Sequence, residues 1–380
     1  MVFFKYYNFF ITSWISALSS IGYQSDNSWL IKVILPVGIS FYTFQTLSYS
    51  IDIYKKKIIP TSDFIAFATF VSFFPQLVAG PIERASNLIP QFLRPRKYNY
   101  SYISTGIKFI IWGFFLKLVV ADRAAIYVNA VYNNIENHEG ISFIVATILF
   151  AFQIYGDFAG YSLIAIGTAK LFGFDLITNF NRPYFSTSLR EFWSRWHISL
   201  STWFRDYVYI PLGGNRVEKP RWFFNLFITF LISGLWHGAN WTFIIWGAIH
   251  GIYLIIETLL FKKERKGVLN VFITFCIVNF TWVFFRSNSV NDAFYIIYKV
   301  LTVPGNLYIG SGDDIAALLY ALLAISILFT VELKREYFNS FYSFSKNKFG
   351  LIRMAWYATI VFIILYLGVF GESQFIYFQF

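Results

Sequence analysis

The stretch that decides the fold is ISFIVATILFAFQIYGDFAGYSLIAIGTAK, residues 141–170. Asp157 is its only charged residue before the closing Lys170. An α-helix needs about 20 consecutive, mostly apolar residues to cross the hydrocarbon core of a bilayer, and this stretch is longer than that. We therefore predict a transmembrane helix here, with one carboxylate at membrane depth.

The rest of the sequence has the same character. Hydrophobic residues make up 57% of the 380 and charged residues only 13%, whereas a soluble domain carries about 25% charged residues. Similar apolar runs predict spans at 5–21, 29–51, 102–121, 141–170, 222–236, 240–260, 267–285, 313–331 and 352–370. We expect an all-α, polytopic helical bundle that forms a single domain over residues 1–380.

One apolar run is interrupted. Residues 64–82 run into PQLVAGPIER (75–84), whose prolines and glycine predict a re-entrant or broken helix. Irregular backbone is tolerated at membrane depth only where protein or a water-filled cavity satisfies its polar groups. This run is therefore expected to line the interior of the bundle.

The net charge of +11 reflects topology rather than nucleic acid binding. Basic residues are concentrated in short segments between the spans, at 55–57, 94–97, 182–221, 262–266 and 332–337. Such segments remain on the cytoplasmic side of a membrane, and the predicted spans place all of them on one side if 64–82 does not cross. The segments 133–140 and 288–294 then lie outside. We expect a multi-pass protein of the bacterial cytoplasmic (inner) membrane, surrounded by membrane lipids.

Several functional classes lack support. The single cysteine, Cys276, excludes an intrachain disulfide and a cysteine-rich metal site. No nucleotide-binding loop, GxSxG or HExxH pattern is present. We predict no metal site and no bound cofactor.

A histidine interrupts the apolar sequence SGLWHGANWTF (233–243). A helix that begins near the cytoplasmic Arg221 rises about 1.5 Å per residue, so His237 lies about 24 Å higher, in the outer half of the membrane. The following run must descend again, which makes HGAN a break between two opposed helices. Imidazole titrates near neutrality and is suited to accept a proton from an attacking hydroxyl. The alternative is a buried histidine hydrogen-bonded across helices.

A second histidine lies in STSLREFWSRWHISLSTWFRDYVYIPLGG (186–214). Ser188 and Glu191 have the spacing of a capping box, and aromatic residues recur at helical spacing. We predict a cytoplasmic-side amphipathic helix over 186–210 that carries His197 on a cationic, hydroxyl-bearing face. Either its arginines snorkel to lipid headgroups, or Arg190 and Arg205 bind phosphates of a cytoplasmic ligand with His197 nearby.

Other polar residues in the apolar runs have two interpretations each. Asp157 binds a polar substrate or orients a histidine, or else makes a helix-to-helix hydrogen bond. Trp236 and Asn240 flank His237 and are candidate substrate-binding residues, whereas His250 is expected to pack in the bundle. Charged residues expected to pair or to anchor helix ends are Glu83 with Arg84, Lys117 and Glu257.

Two long motifs resemble the membrane-bound O-acyltransferase (MBOAT) superfamily. They are NFNRPYFSTSLREFWSRWHISLSTWFRDYVYIPLGGNR (179–216) and FLISGLWHGANWTFIIWGAIHG (230–251). FFPQLVAGPIER (73–84) and FIYFQF (375–380) are also similar to its alginate and peptidoglycan O-acetyltransferase branch. Members usually carry further spans before the position that matches MVFFKYYNFF, so we expect a chain shortened at its N-terminus.

The resemblance implies a bundle of helices, some re-entrant or broken, around a central tunnel. It implies transfer of an acyl group, expected to be acetyl, from acetyl-CoA or another cytoplasmic thioester to an extracytoplasmic polysaccharide such as alginate or peptidoglycan. The family's catalytic histidine maps onto His237 and its second histidine onto His197. A periplasmic SGNH-type esterase or transferase is the implied partner. D-alanyl transfer to teichoic acid, a lipid or sugar transporter, and a scaffold remain alternatives.

Overall fold

The computed structural model describes residues 2–23, 29–31, 36, 38–77, 80–261, 265–310, 313–338, 350–371 and 375–376. All regular secondary structure within these ranges is helical. Parts of four predicted features lie outside the described residues. These are 32–35 and 37 of the span 29–51, 78–79 of the broken run, 262–264 of a basic segment, and 377–380 of the C-terminal motif.

Sixteen α-helices are described in this part of the chain. They are α1 (Val2–Ser20), α2 (Ile39–Tyr54), α3 (Phe64–Ser72), α4 (Phe74–Leu77), α5 (Ala85–Phe92), α6 (Tyr100–Phe114), α7 (Asp122–Tyr132), α8 (Gly140–Leu171), α9 (Leu189–Arg195), α10 (Ile198–Phe204), α11 (Lys219–His237), α12 (Trp241–Leu260), α13 (Val268–Arg286), α14 (Val290–Thr302), α15 (Asp313–Leu333) and α16 (Gly350–Leu367). A π-helical segment, Phe115–Ala121, joins α6 to α7 without a break.

Six described helical segments are long and apolar enough to cross a membrane. They are Tyr100–Tyr132, Gly140–Leu171, Trp241–Leu260, Val268–Arg286, Ile315–Phe338 and Gly350–Leu367. This confirms an all-α, multi-pass membrane protein. The predicted spans 5–21 and 222–236 are also helical, as α1 and α11.

Two predicted spans have different limits from those expected. In the described part of the span 29–51, α2 begins at Ile39, directly after Gly38, which has a positive φ of 74°. The span 102–121 continues to Tyr132. Asp122, directly after the predicted end of this span, pairs with Lys117 at 2.8 Å inside the bundle.

The broken helix predicted over 64–82 is confirmed. α3 ends at Ser72, α4 is a single short turn, and residues 81–84 have no regular structure before α5 begins. Glu83 satisfies part of this irregular backbone, because its carboxylate accepts hydrogen bonds from the Asn87 amide and from the Ile177 N–H. Glu83 and Arg84 interact electrostatically. The Arg84 guanidinium itself lies 3.5 Å from the Asp206 carboxylate and stacks on Tyr207.

Helix α8 packs along α6 through small residues. A Cβ atom on Gly160 would lie 2.8 Å from the Gly113 carbonyl oxygen, and one on Gly167 would lie 2.6 Å from the Gly106 carbonyl oxygen. Apolar transmembrane helices associate by such close backbone packing. The contact makes α8 a buried central element against which the other helices assemble.

The predicted single helix over 186–210 is wrong. α9 ends at Arg195, Trp196 is extended, and His197 has a left-handed φ of 42° before α10 begins. The loop before α9 replaces the missing helical hydrogen bonds, since Ile198 N–H donates to the Asn179 carbonyl at 2.9 Å and Asn181 N–H donates to the Arg195 carbonyl at 2.9 Å. These tertiary bonds hold a kink at His197.

Candidate active site

His237 is the last residue of α11, at the turn of a tight helical hairpin. Gly238 is extended after it, and the Asn240 side chain caps α12 by accepting from the Thr242 N–H at 3.0 Å. The two helices approach closely below the turn, because a Cβ on Gly234 would lie 2.3 Å from the Phe243 carbonyl oxygen. The predicted break between opposed helices is confirmed.

The His237 imidazole is buried among aromatic rings. Its centroid lies 5.0 Å from that of Trp236, 5.1 Å from that of Trp246 and 5.3 Å from that of Phe285. Packing on several sides fixes the ring and excludes bulk water. A proton acceptor held in this way is suited to act on a reactant that arrives by a defined path.

His197 is buried too, which corrects its expected position on the cationic, hydroxyl-bearing face of an amphipathic helix. The kink turns it inward, where its ring packs against Phe158 at 4.5 Å. Its Nδ1 lies 3.1 Å from Asn179 Oδ1, which also accepts from the Ser199 N–H at 3.2 Å. Because this oxygen only accepts, Nδ1 carries the proton and Nε2 keeps a lone pair. No hydrogen-bond partner for Nε2 is found among the described residues.

Trp236 brings the two histidines into one site. Its ring lies 5.0 Å from that of His237 and 6.3 Å from that of His197. Phe41 of α2 packs on both Trp236 and His197, at 6.0 Å and 6.5 Å. Two imidazoles from separate motifs therefore meet around one indole in the protein interior.

A cavity of about 400 Å³ opens between α9–α10 and the α11–α12 hairpin. Arg190 and Arg205 both line it, and both are exposed. Thr229 and Ser233 line it along α11, and Ser233 is one helical turn before His237. The cavity thus joins an exposed cationic rim to the helix that carries His237.

Ion pairs and caps hold the rim in place. Glu257 of α12 accepts from the Leu189 N–H at 2.8 Å and from the Arg190 N–H at 3.3 Å, so it caps α9 and fixes the start of the rim. Burial alone would raise the pKa of Glu191, but bonds from Thr187 and Arg195 outweigh it and lower that pKa. Glu191 therefore stays ionised and ties α9 to the loop before it.

The remaining predicted site residues lie elsewhere or have structural partners. Asp157 pairs with Lys117 at 2.6 Å and accepts a hydrogen bond from the Ile376 N–H at 2.7 Å. The pair with Lys117 corresponds to the helix-to-helix contact that was the second interpretation of Asp157. Lys117 is buried mid-bundle between two carboxylates and does not anchor a helix end. Asn240 is occupied by its cap and by the Asn288 carbonyl. His250 packs in the bundle, within 3.0 Å of the Thr281 hydroxyl.

Two residues of the site were not singled out from the sequence. Asn179 orients His197, and the signal for it was its position as the first residue of the long motif at 179–216. Lys5 reaches the carbonyls of Trp236 and His237 from α1. No local pattern in the sequence indicates that contact, because more than 200 residues separate the partners. Among the described residues, no group of three His, Cys, Asp or Glu side chains is placed to hold a metal ion.

Comparisons with known proteins match residues 1–290 to the model of the membrane-bound O-acyltransferase family, MBOAT. A Pseudomonas aeruginosa protein named "Probable alginate O-acetylase AlgI" is 43% identical over 294 residues, which cover 77% of this chain and 56% of that protein. The peptidoglycan O-acetyltransferase of Helicobacter pylori is 38% identical over 335 residues, 80% of this chain and 62% of its own length.

A teichoic acid D-alanyltransferase of Streptococcus thermophilus is more distant. It is 28% identical over 338 residues, which cover 74% of this chain and 81% of that protein. The chain spans about 56% of the length of the alginate O-acetylase relative and 62% of the peptidoglycan one.

Proposed function

The chain belongs to the membrane-bound O-acyltransferase family, and we propose that it transfers an acetyl group from a cytoplasmic thioester to hydroxyls of an extracytoplasmic polysaccharide. The acceptor class is that named for its relatives, an alginate-like polysaccharide or peptidoglycan. D-alanyl transfer has less support, because two relatives that carry this name are only 28% and 29% identical. The enzyme would lie in the cytoplasmic membrane and act with a periplasmic SGNH-type esterase or transferase.

The observation that carries this proposal is the cavity between α9–α10 and the hairpin. It leads from Arg190 and Arg205 to Ser233, one turn from His237. A thioester such as acetyl-CoA has a phosphate-bearing end and a long arm that ends in the acyl group. A cationic rim suits the phosphates, and the cavity behind it, whose lining is mostly apolar, suits the arm.

The chemistry assigned to the site is a direct acyl transfer. His237 accepts the proton of the acceptor hydroxyl as the oxygen attacks the thioester carbonyl carbon. The carbon–sulfur bond then breaks, and the leaving thiolate takes up a proton. His197, with Nε2 available, supplies a second hydrogen-bonding group in the same interior site. Trp236 separates the two imidazoles and packs the reacting region.

Mass spectrometry of alkali-released acids from cell-envelope glycans tests the function. Cells that lack the gene are compared with cells rescued by the wild-type gene at measured membrane levels. Released acetate that depends on the gene supports the proposal, whereas released D-alanine selects the alternative acyl group. Equal esters in both strains would overturn acyl transfer and leave the transporter or the scaffold.

Arg190 and Arg205 are expected to bind the donor rather than to perform chemistry. Hydrogen bonds to charged groups contribute about 1.5–3 kcal/mol each, so replacing both arginines by glutamine should raise the donor KM at least tenfold. The kcat should change less than threefold. Both constants are measured with purified protein in liposomes. Arg216→Gln is the matched control, since Arg216 is exposed on the same segment but does not line the cavity. A lower kcat at unchanged KM contradicts the assignment.

A further inference from the structure

Two neighbouring side chains of α1 contact the end of α11. Tyr6 Oη donates to the Leu235 carbonyl at 2.8 Å, and Lys5 Nζ donates to the carbonyls of Trp236 at 3.0 Å and His237 at 2.8 Å. Three consecutive carbonyls, ending at the histidine, are thus held from a helix that is remote in sequence. Tyr6 is buried, and Lys5 is partly buried.

These carbonyls require external donors. The last four carbonyls of any α-helix have no intrahelical partner, and an unsatisfied polar group inside a membrane protein is costly. α11 ends with Gly238 in an extended conformation, with φ −163° and ψ 154°, which is not the left-handed glycine cap that would supply N–H groups from the chain itself. The donors come from α1 instead.

Lysine is well suited to this position. Its ammonium group carries three N–H donors, so one side chain serves two carbonyls at once, and a cation is favourable at the negative end of a helix dipole. No carboxylate within salt-bridge distance of Lys5 is found in the described part of the chain. Ionisable groups within membrane segments are costly, so such a group is by default a candidate for a functional role.

We infer that Lys5 is a positioning residue for acyl transfer: it clamps the last turn of α11 and thereby fixes the His237 imidazole relative to the cavity. The clamp acts on the backbone of the residue that performs the proton transfer. A displacement of about 1 Å of such a group costs about 10²-fold in rate. Tyr6 supports the same turn one carbonyl earlier. This inference rests on the function proposed above.

Lys5→Met, Lys5→Arg and Tyr6→Phe test the clamp in liposomes that contain the full chain. Lys5→Met should lower kcat at least tenfold with the donor KM within twofold. Lys5→Arg, which keeps several N–H donors, should restore most of the kcat. Lys299→Met is the control, because Lys299 lies on α14 and its ammonium group contacts the Tyr295 ring rather than the last turn of α11. A wild-type kcat in Lys5→Met, or a loss that arginine does not rescue, overturns the inference.

Hydrogen exchange separates failure of the clamp from failure of the proposed function. Peptides that cover 230–240 should exchange faster in Lys5→Met than in the wild type, because the last turn of α11 loses its external partners. This measurement needs no substrate. If the wild type transfers no acyl group, the proposed function fails. The exchange measurement still shows whether α1 clamps the last turn of α11. Unchanged exchange contradicts the clamp, and Tyr6→Phe provides the comparison if Lys5→Met does not reach the membrane.

Discussion

Replacing His237 by glutamine is expected to lower the rate of acyl transfer by about 10²–10⁴-fold, the usual contribution of a general base. Glutamine is similar in size and polarity, so the aromatic packing against Trp246 and Phe285 is largely kept. It cannot accept the proton of the acceptor hydroxyl. The esterified acyl groups released from the envelope by alkali, measured at equal membrane levels of protein, report the effect.

His250 provides a matched control in the same hairpin. It is buried like His237, but it bonds to Thr281 and to the Trp193 indole N–H. His250→Gln should keep the rate within about tenfold of the wild type, because only packing and hydrogen bonds are altered. Equal losses in both variants would mean that any buried polar change disables the hairpin. Wild-type ester levels in His237→Gln would remove the histidine from the chemistry.

The position of His237 was predictable because the physics that sets it is local. A span of known rise starts at Arg221, a histidine and a glycine follow the apolar run, and a second apolar run must return. Those facts alone predict a break between two helices of a hairpin. In the structure α11 ends at His237 and α12 begins at Trp241, close to the predicted spans 222–236 and 240–260. The spans of α8 and α13 were equally predictable, since membrane thickness fixes their length.

The kink at His197 was not predictable from periodicity. Aromatic residues recur at helical spacing through 186–210, and this pattern favours one helix. The hydrogen bonds that break it come from Asn179 and Asn181, which belong to a loop outside the pattern. Tertiary contacts override local propensity here, and they turn His197 from an expected surface position to the interior.

The partners of charged residues also depended on tertiary structure. Lys117 lies at a predicted span end, which indicates an interfacial anchor when only the sequence is considered. The helix in fact continues to Tyr132, so Lys117 lies mid-helix and meets Asp157 of α8. Asp157 is then held by contacts within the bundle, which favours its interpretation as a helix-to-helix contact.

His197→Ala is expected to lower kcat about 10²-fold. Asn179→Ala should lower kcat by a smaller factor, because it disturbs the orientation of the His197 imidazole. Asn179 holds the imidazole by its Nδ1–H, which leaves Nε2 to face the interior. A residue that acts only through His197 has nothing further to remove once the imidazole is gone. The double variant should therefore equal His197→Ala alone, a non-additive cycle.

Ser162→Ala is the control for this cycle. The Ser162 hydroxyl accepts from the Asn179 side-chain amide at 3.1 Å, on the side opposite the histidine. Its loss should lower thermal stability slightly and leave kcat within about threefold, since one neutral hydrogen bond contributes about 1 kcal/mol. Additive losses from His197 and Asn179 would show that the asparagine acts independently, as a support of the kinked backbone. That outcome would assign Asn179 to the fold, because its backbone carbonyl already holds the Ile198 N–H at the kink.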